Sequence, residues 1–151
     1  IDLARNDLSV HCNNVELRRK KEVQQFSHVF HLVSEVKGQI KNNANIFEII
    51  AKTFPAGTLS GAPKYKAMQI IDEMENHQRN YYGGAIGFID LENNVNLAIM
   101  IRTFCSINNE LNYSAGAGIT VESVPENELL EIKNKLNALR KAIDLATIKL
   151  N

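Results

Sequence analysis

Near the C-terminal end of the chain, Glu128, Glu131 and Lys135 fall at i, i+3 and i+7. At roughly 100° per residue on a helix these three share a face, beside an apolar stripe rather than opposite it. Carboxylates that edge a buried face must be solvated, paired or metal-bound, because burying them bare is too costly. A hard cation such as Mg²⁺ takes one or two carboxylates and leaves its other positions to water or substrate oxygens. A plain ion pair between Glu131 and Lys135, worth about 0.3–0.5 kcal/mol, uses the same spacing. Both readings are open on spacing alone.

Other residues stand out against their surroundings. Arg102 interrupts "LAIMIRTF", an otherwise apolar strand pattern. A guanidinium there needs a partner: a bidentate ligand carboxylate or an internal acid. His31 lies among valines, as a satisfied core histidine or as an acid–base group. Tyr82 precedes Gly83-Gly84 and could bond a ligand oxygen or simply pack. Gly116 and Gly118 flank Ala117, so backbone N–H groups could approach a carboxylate there; a β-bulge explains the glycines equally.

"FPAGTLSGAPKYKAMQIIDEME" runs a loop of small residues into a helical pattern. A helix start of this kind favours an anion. It is no phosphate loop of the nucleotide-binding type, because Lys64 does not directly follow Gly61 and no Ser or Thr comes after it. The combined set suits a small, multiply charged organic acid bound with a divalent metal.

The elements that must carry these residues follow from periodicity. Ile1 to Val10 reads as a helix and "CNNVELRRKK" as a turn with a short extended piece. "QFSHVFHLVSEVKGQI" reads as a long strand ended near Gly38, with Val29, His31, Val33 and Glu35 on one face. "NIFEIIAKTF" is a short helix stopped by Pro55, and Pro63 suits the first turn of the next. Three strand candidates follow, "GGAIGFID", "NLAIMIRTFCSI" and "ELNYSAGAGITV", with Asn93-Asn94 and Asn108-Asn109 as turns of an antiparallel meander. Pro125 to Leu150 is the clearest helix, with Leu129, Ile132, Leu136, Leu139, Ile143, Ala146 and Leu150 in one stripe. The expected class is α+β.

Composition bounds the function. Seventeen basic and seventeen acidic residues cancel, so no global field favours nucleic acid or an anionic membrane. Cys12 and Cys105, without a CxxC spacing, fit reduced thiols in a cytoplasmic protein. No apolar run is long enough to span a bilayer. The chain opens on Ile1 inside an apparent element, so a portion of a longer chain is expected.

"DLARND", "HLVSEVKG", "FPAGTLSGAPKYKAMQIIDEME", "YYGGAIGF", "IMIRTF" and "SAGAGITVESVPENELLEIKNK" occur in the order found in chorismate-using enzymes. The chain resembles the C-terminal part of the anthranilate synthase component I family over its whole length, residues 1–151. That resemblance implies an α+β chorismate-binding fold and an Mg²⁺-dependent two-step reaction. Ammonia from a glutamine amidotransferase partner adds to chorismate as the ring hydroxyl leaves, and pyruvate is then eliminated to give anthranilate.

By motif, the resemblance makes Glu131 a metal ligand and Glu128 its companion carboxylate. Arg102 and Tyr82 hold the enolpyruvyl carboxylate; Gly116, Ala117 and Gly118 offer backbone contacts; Lys135 balances the acidic pair or touches substrate. Thr58 and His31 line the ring, with His31 as acid–base group. In the family a second metal-binding glutamate lies just upstream of "DLARND", and Ile1 stands one residue before that motif. Aminodeoxychorismate synthase is the alternative within the same chemistry. A non-catalytic module that binds chorismate or the amidotransferase is the alternative outside it.

Overall fold

A computed structural model describes residues 1–25, 30–41 and 44–148. The chain divides into two compact units, Ile1–Gln69 and Ile70–Asn151.

In the first unit, α1 (Asp2–Ser9) leads into β1 (Cys12–Gln25), which pairs antiparallel with β2 (Phe30–Ile40). The stretch expected to hold a short extended piece is thus a 14-residue strand. Alternation in β1 is masked by its charged run Arg18 to Lys21, and the ladder tolerates that run by slipping register three times. At one slip Lys21 adopts a left-handed φ of 52° and its N–H donates to the Ser34 hydroxyl at 3.0 Å, so a side chain replaces a lost ladder bond. The long strand expected from Gln25 to Gly38 holds the last residue of β1 and then β2, which runs through Gly38 to Ile40. Val29, placed on the face of His31, lies outside the described residues. Gly38 is required by packing: a Cβ there would stand 2.6 Å from Cys12 Cβ. Among the described residues Cys12, 6% exposed, is the only apolar side chain that is buried.

α2 (Ile46–Thr53) starts at Asn45, whose side chain accepts from the Phe47 N–H, and it ends before Pro55 as its sequence requires. The single turn α3 (Gly57–Ser60) follows, then α4 (Lys64–Met74), which begins directly after Pro63. Lys64 ties this unit together. Its ammonium pairs with Asp7 Oδ1 at 2.8 Å and donates to the carbonyls of Lys52 at 2.9 Å and Thr53 at 3.4 Å. It neutralises an acid at the end of α1 while satisfying the open C-terminal carbonyls of α2. The lysine at this helix start is therefore committed to the fold.

In the second unit, β3 (Ala85–Ile89) pairs with β4 (Val95–Ile99), and β5 (Cys105–Ile107) with β6 (Glu110–Asn112). Both turns use the expected asparagines. Asp90 Oδ1 accepts from the N–H groups of Glu92 and Asn94, with Asn93 left-handed at φ 63°. Asn108 and Asn109 are both left-handed, at φ 52° and 65°, which suits a two-residue hairpin. The meander stops there. "NLAIMIRTFCSI" divides into β4 and β5, which lie in separate two-stranded sheets. After β6 the chain runs without regular structure until α5 (Pro125–Ile148). Ile132, Leu136, Leu139 and Ile143 of the expected stripe are half-buried, and Leu150 lies outside the described residues. Among the described residues, no helix is long and apolar enough to cross a membrane.

Candidate functional site

Four of the residues singled out from sequence are brought together in the second unit: Tyr82, Gly116, Glu131 and Lys135. Lys135 is the hub. Its ammonium meets Glu131 Oε1 at 2.6 Å and donates to the Gly116 carbonyl at 2.8 Å. The i, i+4 spacing on α5 makes the first contact, and the loop after β6 delivers the second. The side chains of Lys135 and Glu131 are 31% and 52% exposed, so this pair contributes no more than about 0.5 kcal/mol to stability. Its effect is geometric: it pins the glycine loop against the first half of α5.

Gly116 in turn meets Tyr82. A Cβ added at Gly116 would stand 3.3 Å from the Tyr82 hydroxyl oxygen, so glycine makes room for the phenol. Around Gly118 an added Cβ would meet nothing within 4 Å, so open space lies there. Ala117, between them, is half-buried.

Tyr82 sits in the turn leading into β3. Its N–H donates to the Arg79 carbonyl at 2.9 Å. Gly83 N–H then bonds the Met100 carbonyl at 2.9 Å, and Met100 N–H bonds Gly84 O at 2.9 Å, which extends the β3–β4 ladder to the tyrosine. The Arg79 guanidinium lies over the Tyr82 ring, 5.8 Å from its centroid. Arg79 Nε donates to Glu75 Oε2 at 2.8 Å and Nη2 to Oε1 at 2.6 Å. This fork holds the Glu75 carboxyl below its usual range and keeps the guanidinium charge more firmly than usual. Neither Glu75 nor Arg79 was singled out from sequence. Opposite charges four apart were the available signal, but they lie past the end of α4, where helical spacing gives no guide.

Arg102 is not on a strand. The β3–β4 ladder ends at Met100, Ile101 N–H turns back to the Ile99 carbonyl at 2.9 Å, and Arg102 takes a left-handed φ of 51° at an exposed bend. The apolar run suggested a continuous strand because periodicity does not register a single residue at positive φ. A non-glycine residue held there is uncommon and costs about 1–3 kcal/mol.

Glu128 is half-buried in the first turn of α5, where a carboxylate complements the helix dipole. Three residues on, Glu131 lies on the same side of the helix. Among the described residues, no group of three or more His, Cys, Asp or Glu could hold a metal ion. The two glutamates fit as hard oxygen donors for Mg²⁺, with water or substrate to complete the shell.

In the first unit His31 is half-buried on β2, opposite Gln24 and on the face of Val33, as alternation required. Thr58 is exposed on α3. Gly57 beside it is buried against Leu3, to which an added Cβ would come within 3.1 Å.

The family described as chorismate binding enzymes matches residues 1–141 of this chain. Anthranilate synthase component 1 of Aquifex aeolicus is 43% identical over 97% of the chain, which covers 30% of that relative. The chain thus spans about a third of the length of the curated relatives it matches. The crystal structure of anthranilate synthase component I from Streptococcus pneumoniae superposes with a TM-score of 0.80 at 41% identity, over 89% of this chain and 31% of that one. A putative 2,3-dihydroxybenzoate-specific isochorismate synthase from Bacillus anthracis gives 0.83 at 30% identity, over 96% and 39%.

Proposed function

The chain belongs to the chorismate binding enzymes, and from that premise we propose that it carries part of an anthranilate synthase component I site. Chorismate is the substrate on this reading, ammonia the nucleophile and anthranilate the product. Ammonia forms a C–N bond to the ring as the hydroxyl departs with a proton as water. The enolpyruvyl C–O bond then breaks to release pyruvate, and loss of a ring proton leaves the aromatic amine. Identity favours this chemistry over isochorismate formation: 43% and 41% to the two anthranilate relatives against 30% to the isochorismate synthase.

The single observation that supports it is the run of contacts from Tyr82 through Gly116 and Lys135 to Glu131. A phenol, a glycine loop, a lysine and a carboxylate in sequence suit a dianion with an anchor at each end. Tyr82 and Arg102 hold the enolpyruvyl carboxylate; the left-handed bend at Arg102 is strain of the kind that collects at ligand sites. Backbone N–H groups of Gly116 to Gly118 bind the substrate, with the open space at Gly118 giving close approach. Lys135 holds the loop and adds positive charge. Thr58 is assigned to ring contact. His31 is assigned to proton transfer, at the departing hydroxyl or during elimination.

Glu131, with Glu128 as companion, would hold Mg²⁺, which supplies charge neutralisation for the ring carboxylate. Since Lys135 already uses Glu131 Oε1, the second carboxylate oxygen remains for the cation. The ammonia is supplied by a glutamine amidotransferase subunit, and the enzyme is placed in the cytoplasm.

The test is product identity. The natural full-length gene product, given chorismate, ammonia and Mg²⁺, should release anthranilate. Aminodeoxychorismate without pyruvate, or isochorismate formed without ammonia, would overturn the assignment.

A further inference from the structure

Tyr82 is held by its backbone from both sides. The bond to Arg79 closes the preceding turn, and Gly83 and Gly84 are laced to Met100. Backbone bonds do not fix a ring, which still turns about two side-chain torsions. What stands over the ring is the Arg79 guanidinium, and that group is clamped through two parallel N–H···O bonds to Glu75. A bidentate fork of this kind fixes both distance and plane.

We propose that Arg79, locked by Glu75, is a positioning residue that holds the Tyr82 ring so that its hydroxyl stays at Gly116, beside the bound carboxylate. The proposal rests on the chorismate reading above for the identity of that carboxylate. Arg79 itself touches no substrate. It acts by removing the rotational freedom that the phenol would otherwise lose on binding, which is preorganisation.

Several consequences separate this from a purely structural ion pair. Arg79→Ala should raise KM for chorismate about two- to tenfold, the range of a cation–π contact of about 0.5–1.4 kcal/mol, with kcat within about twofold. Arg79→Lys keeps the charge but loses the fork, so it should not restore KM. In a Tyr82→Phe background, Arg79→Ala should add nothing further, because there is no hydroxyl left to place. Additive losses in that double variant would overturn the proposal.

A second readout needs no substrate. With 3-fluorotyrosine at Tyr82, the fluorine resonance should shift or broaden in both Arg79→Ala and the milder Glu75→Gln, each measured well below its own melting temperature. Superimposable spectra would overturn the proposal. Wild-type enzyme that neither binds nor converts chorismate counts against the substrate reading instead, and the fluorine spectrum then decides whether Arg79 holds the ring.

Discussion

Arg102 and Tyr82 carry the heaviest demand of any residues in the proposed site, since both must meet one carboxylate. Arg102→Ala in the full-length enzyme should raise KM for chorismate by about tenfold or more, the loss of a charge-assisted hydrogen bond of about 1.5–3 kcal/mol. Its stability should fall far less than its binding, because removing a side chain from an exposed bend opens no cavity. Equal losses in binding and stability would mark Arg102 as a structural ion-pair partner. The Glu75–Arg79 fork gives a pH signature of known sign. Glu75 is held below its ordinary 4.5, chiefly by its hydrogen bonds from Arg79. Its stabilising contribution is therefore complete above about pH 4.5 and lost as pH falls through the lower folded value. The melting-temperature gap between wild type and Glu75→Gln should close in that acidic window, and a gap that widens there would contradict the assignment. Local placement was legible in sequence where the pattern was regular: His31 is half-buried on a strand, and Glu131 meets Lys135 at the i, i+4 spacing. Arg102 was not, because one left-handed residue ends a strand without changing its hydrophobicity.

At the scale of elements, the helices declared themselves through prolines and stripes: Pro55 after α2, Pro63 before α4, and the three-and-four spacing of α5. The paired asparagines likewise fixed both tight turns. β1 escaped recognition because its basic residues hide the alternation, and only the partner strand shows that Arg19 answers Glu35 across the ladder at 3.1 Å. Lys64 was legible as a lysine at a helix start but not as the tie between α1, α2 and α4, since that tie is a tertiary contact. The tie is testable. Lys64 and Asp7 are 24% and 19% exposed, so losing either partner strands a partly buried charge. Lys64→Met should cost about 1–3 kcal/mol in urea unfolding, and Asp7→Asn in that background should add little. Independent, additive costs would show that the two side chains do not act together.

At the scale of the whole molecule, each unit leaves apolar surface uncovered. In the first, Val23, Phe30 and Leu32 are exposed; in the second, Ile86, Phe88, Leu129 and Leu130 are. All six strands lie in two-stranded sheets, so each has an open edge among the described residues. Large apolar side chains exposed in this number bind hydrophobic dyes and drive association where they lie together. The 151-residue chain on its own should therefore enhance anilinonaphthalene sulfonate fluorescence and elute in size exclusion at a size that grows with concentration. A monodisperse monomer silent to the dye would contradict that. The family assignment was legible in the order of six motifs. Whether Glu131 serves a metal was not, because spacing on one helix supports an ion pair and a ligand set equally.

The Mg²⁺ dependence of anthranilate formation by full-length wild type and Glu131→Gln, matched for melting temperature, tests the proposed site most directly. The wild type should show saturable dependence on Mg²⁺. The variant should fall by more than about 100-fold, beyond the loss of an outer partner of a metal ligand. A variant that keeps the wild-type rate and the wild-type Mg²⁺ curve would leave Glu131 as nothing more than the partner of Lys135.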